Sequence, residues 1–321
     1  MPSKTEDVGT APESRTLGES INIATRPVHT SLNKLIILRL RLALPPHADD
    51  ASNYVQGLLH ITPIYTTFET LWQEILDTPP LTSEVPVEST PTSPISPRIH
   101  TLLTSTHFPI LSRSASLKAD LSQITGWSAS DLSSRLLEAS RESAVLAAFL
   151  AHIQVTVGRK PHSLLAYAWV LYMALFAGGR FIRASLERVD PRDGFWGPLF
   201  ISPNLVDDEI GDTVDGVGRE RMPGAFPSGS IGGEVRRVQS MVEKTEKAEY
   251  PLSFFRFDTP ADGQDLRQAF KARVAEATDV LTAEEIADVV GEAREIFERM
   301  VGLVGELDDV CGTEYEAATA V

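Results

Sequence analysis

One cysteine, Cys311, occurs in 321 residues. It has no partner for an internal disulfide, and a Cys-based zinc site has no second thiol to draw on. Basic residues are also scarce: 29 Lys+Arg against 44 Asp+Glu leave a formal net charge of −15. A chain of that sign repels nucleic acid phosphates. The N-terminal stretch MPSKTEDVGTAPESRT contains no apolar run, which excludes the pattern of a signal peptide. The last eleven residues, 311–321, are too few and too polar to cross a bilayer. These absences lead to the expectation of a soluble, cytoplasmic chain with no transmembrane segment. What remains is ordinary in balance, 42% hydrophobic and 23% charged, and long enough to bury one large core.

Three stretches read as irregular. Residues 1–17 form a polar leader expected to be disordered. From about Asp77 to Pro97, six prolines stand among Ser and Thr, and so much proline suits neither helix nor interior strand. A third region, rich in Gly, Pro and Asp, begins at about Asp190. The domain expected is therefore 18–310, with loop insertions near 77–98 and 190–249 and a polar tail over 311–321. Elsewhere the pattern is helical, and the fold class expected is all-α. Thr282-Ala283-Glu284-Glu285 has the spacing of a capping box, and Ile286, Val289, Val290, Ala293, Phe297 and Met300 follow on one face. A helix is expected over Asp262–Ala277, and another over Ser143–Val157 with Gly158 as its C′ residue. Tyr54–Leu76 reads as helix, kinked or interrupted at Pro63. Ile36–Leu44 alternates, but without partner strands nearby it is read as helix.

Leu164–Ala177 is almost wholly apolar and ends in Gly178-Gly179, then Arg180. It is shorter than the ~20 residues of a membrane span, so a buried core helix is the preferred reading and a span the second. Glycines weaken a helix. Their presence calls for close helix packing, a kink, or a flat object lying near the backbone.

Three blocks, in order, resemble the haem oxygenase family. Ala24-Thr25-Arg26-Pro27-Val28-His29-Thr30 is similar to its proximal-helix motif. Tyr172-Met173-Ala174-Leu175-Phe176-Ala177-Gly178-Gly179-Arg180 is similar to its glycine-rich distal helix. Leu252-Ser253-Phe254-Phe255-Arg256-Phe257, with Phe270-Lys271-Ala272-Arg273 and the amphipathic last helix, is similar to its C-terminal part. With their surroundings the blocks cover 18–76, 99–189 and 250–308. The resemblance implies a single multihelical haem oxygenase-like domain that binds haem. His29 would be the axial iron ligand, with His152 as the rival on an apolar helix. Gly178 and Gly179 would let the distal backbone press on the haem face. Arg26, Arg267 and Lys271 would hold the propionates, Trp169 would stack or donate near one of them, and Phe297 would pack beside the haem.

The resemblance also implies a reaction: cleavage of haem to biliverdin, CO and Fe2+, using O2 and electrons from NADPH through a flavoprotein reductase. In the family a distal Asp orders water that hands protons to bound O2. Leu175 stands at that position, Leu171 at that of a nearby Arg, and Met300 at that of an Asn. Of the usual distal polar set only Tyr65 is retained. Leu and Met neither order water nor relay protons. Two functions follow as expectations: a haem-cleaving enzyme, or a non-catalytic protein of the same fold that binds, senses or sequesters haem. Pro27 adds a structural expectation, that the proximal helix begins at Thr25 as N-cap with Ser20–Ala24 outside it.

Overall fold

Thr16-Leu17-Gly18-Glu19 opens the first helix, α1 (Leu17–Leu42), with both halves of a capping box. Thr16 Oγ1 accepts from the Glu19 amide at 3.3 Å, and the Thr16 amide donates to Glu19 Oε2 at 3.0 Å. The expected start at Thr25 is thus corrected: Ser20–Ala24 are helical and Pro27 lies inside the helix. Burial explains why. Leu17, Ile21 and Thr25 recur every fourth residue and are all buried, and the Leu17 amide donates to Thr278 Oγ1 at 2.9 Å. These contacts outweigh the hydrogen bond lost at Pro27, whose freed acceptor belongs to solvent-facing Ile23. Leu17 therefore belongs to the domain rather than to the leader.

The computed structural model describes residues 15–80, 95–190, 193–197 and 250–312. The segment 1–14, most of the loops expected at 77–98 and 190–249, and the tail beyond Gly312 lie outside them. Among the described residues there is no β-strand, and the fold is all-α. After α1 come α2 (Ser52–Asp77), α3 (Pro97–Thr106), α4 (Ser114–Thr125), α5 (Ala129–Glu142) and α6 (Ala144–Arg159). Pro63 does not interrupt α2. Gly158 is not a C′ residue either: α6 runs through it and stops at Lys160, with φ −135° and ψ 75°. The following Pro161 dictates that stop, because a residue before proline avoids the helical region.

The uncharged segment is the centre of the fold. It begins as α7 (Leu164–Tyr167), widens into π turns at Ala168–Tyr172 and Leu175–Gly179, and ends as α8 (Arg180–Leu186). Every residue from Leu164 to Tyr172 is buried, as expected for a core helix. Pro161–Leu186 is nevertheless long and apolar enough to cross a membrane by composition. Two C-terminal helices, α9 (Gln264–Val280) and α10 (Ala283–Cys311), complete the bundle. The Thr282 capping box is present in full. α1 packs along α10 and α9, and α2 against α4, α5 and α6.

Two carboxylates, one half-buried and one fully buried, organise the loops around this centre. Glu69 of α2 accepts from the backbone amides of Arg113 and Ser114 at 2.7 and 3.1 Å, capping α4 from another element. Asp120 of α4 accepts from the amides of Ser253 and Phe254 at 2.9 and 2.8 Å, fixing the turn Ser253–Phe255. In the region expected to loop out from Asp190, the short piece 193–197 folds inward. Phe195 and Trp196 are buried, and Trp196 meets Tyr54 edge-on at 6.0 Å and Tyr250 at 6.1 Å.

Candidate functional site: an apolar cavity between α1 and the glycine-bearing helix

A cavity of about 790 Å³ lies between α1, α2, the π-turn segment and α10. Its walls are mostly apolar, as ligand sites usually are. His29 and Arg26 reach it from α1, and Tyr65 from α2. Trp169, Leu171, Leu175, Gly178 and Gly179 form the opposite wall. Arg267 enters from α9, and Phe297 and Met300 from α10. Residues far apart in the chain that the sequence assigned to one site therefore line one cavity. Lys271 is the exception. It is exposed and does not line the cavity, although it lies one turn from Arg267.

His29 is held on two sides. The Phe297 ring stands edge-on to it, with centroids 5.4 Å apart and planes at 87°. The Asn33 side-chain amide lies 3.3 Å from Nε2, one turn further along α1. That contact occupies Nε2, so binding a metal through this nitrogen requires the Asn33 amide to give way. His152 is placed elsewhere. Its Nε2 lies 2.9 Å from Glu292 Oε1, which also accepts from the Tyr167 hydroxyl at 2.5 Å, and it takes no part in the cavity. Sequence reasoning did not single out His60. It is buried, lines the cavity, and its Nδ1 lies 2.8 Å from Gln56 O.

The glycine pair divides its work. A Cβ on Gly178 would meet nothing within 4 Å, so the backbone there borders open space. A Cβ on Gly179 would come within 3.2 Å of Phe255. The first keeps the cavity clear, and the second lets the Ser253–Phe255 turn close against the helix. Ala174 and Ala177 are small and exposed on the cavity side. The Tyr65 hydroxyl donates to Leu171 O at 2.9 Å, taking up a carbonyl in the π-turn segment. Burial, reinforced by the Glu69 charge, pushes the Tyr65 hydroxyl well above its ordinary pKa, so it stays a donor. Between Leu171 and Gly178 no cavity-lining side chain is polar.

Trp169 donates from Nε1 to Asn22 Oδ1 at 3.1 Å, so its one hydrogen bond goes to α1. Its ring lies on Gly18, where a Cβ would fall 2.3 Å from the indole. Gly18 and Asn22 are contacts that no local spacing announces. We expect Gly18→Ala to cost about 1–3 kcal/mol by overpacking, read as a lower urea midpoint together with altered tryptophan fluorescence.

Arg267 Nε is buried without a hydrogen-bond partner, and Arg26 is exposed at the cavity edge. An apolar slot with an imidazole on one wall, bare backbone on the other and two guanidinium groups at its margin fits haem. Carboxylates would satisfy the guanidinium groups, and His29 Nε2 the iron.

The comparisons agree with this geometry. The family model described as "Heme oxygenase" matches residues 96–306, about two thirds of the chain, from α3 to α10. The heme-binding protein HMX1 of Saccharomyces cerevisiae is 28% identical over 192 residues, which span 59% of this chain and 53% of that protein. The fold is similar to heme oxygenase-2 of Synechocystis sp. PCC 6803, solved with heme and NO, at TM-score 0.57 and 13% identity, covering 92% and 86% of the two chains. It is also similar to heme oxygenase 2 of Chlamydomonas reinhardtii, solved without heme, at TM-score 0.58 and 16% identity, covering 91% and 98%. The match takes in the glycine-bearing wall, Arg267, Phe297 and Met300, while α1 and α2 with Arg26, His29 and Tyr65 lie outside it; on that match the chain belongs to the haem oxygenase family.

Proposed function

We propose that the chain binds haem in this cavity, with His29 as axial ligand and Arg26 and Arg267 on the propionates. The observation that carries the reading is the set of groups lining one slot: His29, the open backbone at Gly178 and the unpartnered Arg267 Nε. Haem so bound would supply an iron site for O2 and, in the family's reaction, its own ring as substrate. Among the described residues, Leu171–Gly178 place no polar side chain on the cavity. The Tyr65 hydroxyl is already committed to Leu171 O, and Leu171, Leu175 and Met300 offer only apolar atoms. That favours a protein that holds haem intact, as a sensing or sequestering member of the family would.

The second reading, cleavage to biliverdin, CO and Fe2+, is supported by family membership and by the glycine pair. It requires electrons from NADPH through a flavoprotein reductase. The two readings separate in one experiment: the haemin complex is given O2, NADPH and a flavoprotein reductase while its Soret band is followed. The first reading expects a persistent Soret band and no biliverdin. Loss of the band with biliverdin formation establishes the second. Under the first, Leu175→Asp is expected to raise turnover from near zero, by the 10²–10⁴-fold typical of a positioned proton donor.

A further inference from the structure

The outward face of α1 combines two properties seldom placed together on an acidic protein. Ile23, Arg26, Lys34, Ile37 and Arg41 share one helical face and are all exposed, with Ile23 and Ile37 at 51% and 44%. The stripe extends about 27 Å at 1.5 Å per residue. Along α1, Arg26, Lys34, Arg39 and Arg41 face a single acid, Glu19, in a chain of net charge −15. Glu19 is engaged in the helix cap, and Arg39 is turned aside to Asp308. Among the described residues, Arg26, Lys34 and Arg41 form no ion pair within 4.0 Å. The stripe also borders the cavity mouth. Arg26 and Ile37 line the cavity while remaining exposed, and so does Phe181 from α8, at 54% exposure.

We propose that this face docks on an anionic lipid surface with the cavity mouth toward the membrane. Cations interleaved with apolar side chains on one helix face are the pattern of an interfacial helix. The charge of the face is complementary to acidic headgroups, while the rest of the acidic chain is repelled and so orients the molecule. An acidic protein partner would match the cations as well. The membrane is favoured because Ile23, Ile37 and Phe181 stand exposed beside them, and because of what the cavity takes. Resting here on the haem reading, the ligand is an apolar dianion that partitions into bilayers, and a mouth seated on lipid admits it without passage through water.

The test is co-sedimentation of the full, haem-free chain with phosphatidylcholine vesicles, with and without phosphatidylserine. Binding is expected only with phosphatidylserine, and it should weaken as salt screens the charges. Each cation contributes about 1 kcal/mol at an anionic surface, so Lys34→Gln with Arg41→Gln is expected to lower vesicle affinity roughly 25-fold. Ile23→Ser should weaken it independently. All three positions are exposed, and unchanged circular dichroism checks the fold. Failure to bind, equal binding to both vesicle types, or capture of a flavoprotein reductase through Lys34 and Arg41 without vesicle binding overturns the proposal. Haemin titration of the same samples keeps the two ideas apart. Vesicle binding without a Soret complex defeats the haem reading alone, and a Soret complex without vesicle binding defeats the docking alone.

Discussion

His29→Ala is expected to remove the Soret complex formed by haemin with the wild-type chain, or to shift it to the spectrum of unligated haemin. Even partners that only orient a metal-ligating histidine are worth 10–100-fold in affinity, so loss of the ligand itself should cost at least that much. The substitution is mild for the fold, because His29 is exposed on α1 and alanine is the best helix former. The decisive control is His60, the other imidazole on the cavity wall. Its Nδ1 is bonded to Gln56 O at 2.8 Å, which leaves Nε2 as its other ring nitrogen. His60→Ala should leave the Soret position unchanged. A Soret complex that survives His29→Ala and is lost in His60→Ala would reassign the ligand.

The largest effect on stability is expected at Asp120. Its carboxylate is completely buried and accepts from the Ser253 and Phe254 amides and from the Ser253 hydroxyl. Asp120→Ala leaves the buried Phe254 amide without its acceptor and strips the Ser253 amide of its partner, while the Ser253 hydroxyl keeps Ser116 O; each unsatisfied group costs about 1–3 kcal/mol. A total of about 3–5 kcal/mol is expected, a large part of the 5–15 kcal/mol that holds a typical domain. The damage reaches the cavity. Phe254 stands edge-on to Tyr65 at 5.4 Å, and Phe255 closes on Gly179. Urea unfolding should show the loss, and haemin affinity should fall with it. Burial also pushes the Asp120 carboxyl above its ordinary value, against the hydrogen bonds that lower it. Ionising it therefore costs the folded state more than the unfolded chain. Stability from this group is present at low pH and is lost as pH rises from the ordinary aspartate range through the raised value. Asp120→Asn should flatten that dependence while keeping one acceptor.

Local rules were readable where local forces decide. The Thr282 capping box and the uncharged core helix follow from spacing alone, whereas the three helices between Pro97 and Glu142 were not marked individually. At Pro27 the local rule misled, because burial of Leu17 and Ile21 and the bond to Thr278 act across the fold. The same pattern of Thr and Glu three residues apart marks Thr16 as plainly as Thr282. Gly158 misled in the opposite way: glycine permits a helix end, but Pro161 enforces one. In the site, His29 and the glycine pair were legible as motifs. Arg267 and Lys271, one turn apart, could not be told apart by spacing, since a rotation of some 40° decides which one lines the cavity. Asn22 and Gly18 were hidden because their partner, Trp169, lies some 150 residues away and nothing on α1 names it. Asn33, one turn from His29, was the polar neighbour that spacing made available.

The inward turn at Phe195 and Trp196 has a consequence for how this chain tolerates change. Because Trp196 meets Tyr250 at 6.1 Å, the two ends of the intervening segment are brought together by the folded domain itself. A substitution at Trp196 therefore releases Tyr54 of α2 and Tyr250 together, so this position tolerates change less than its place in an irregular stretch implies.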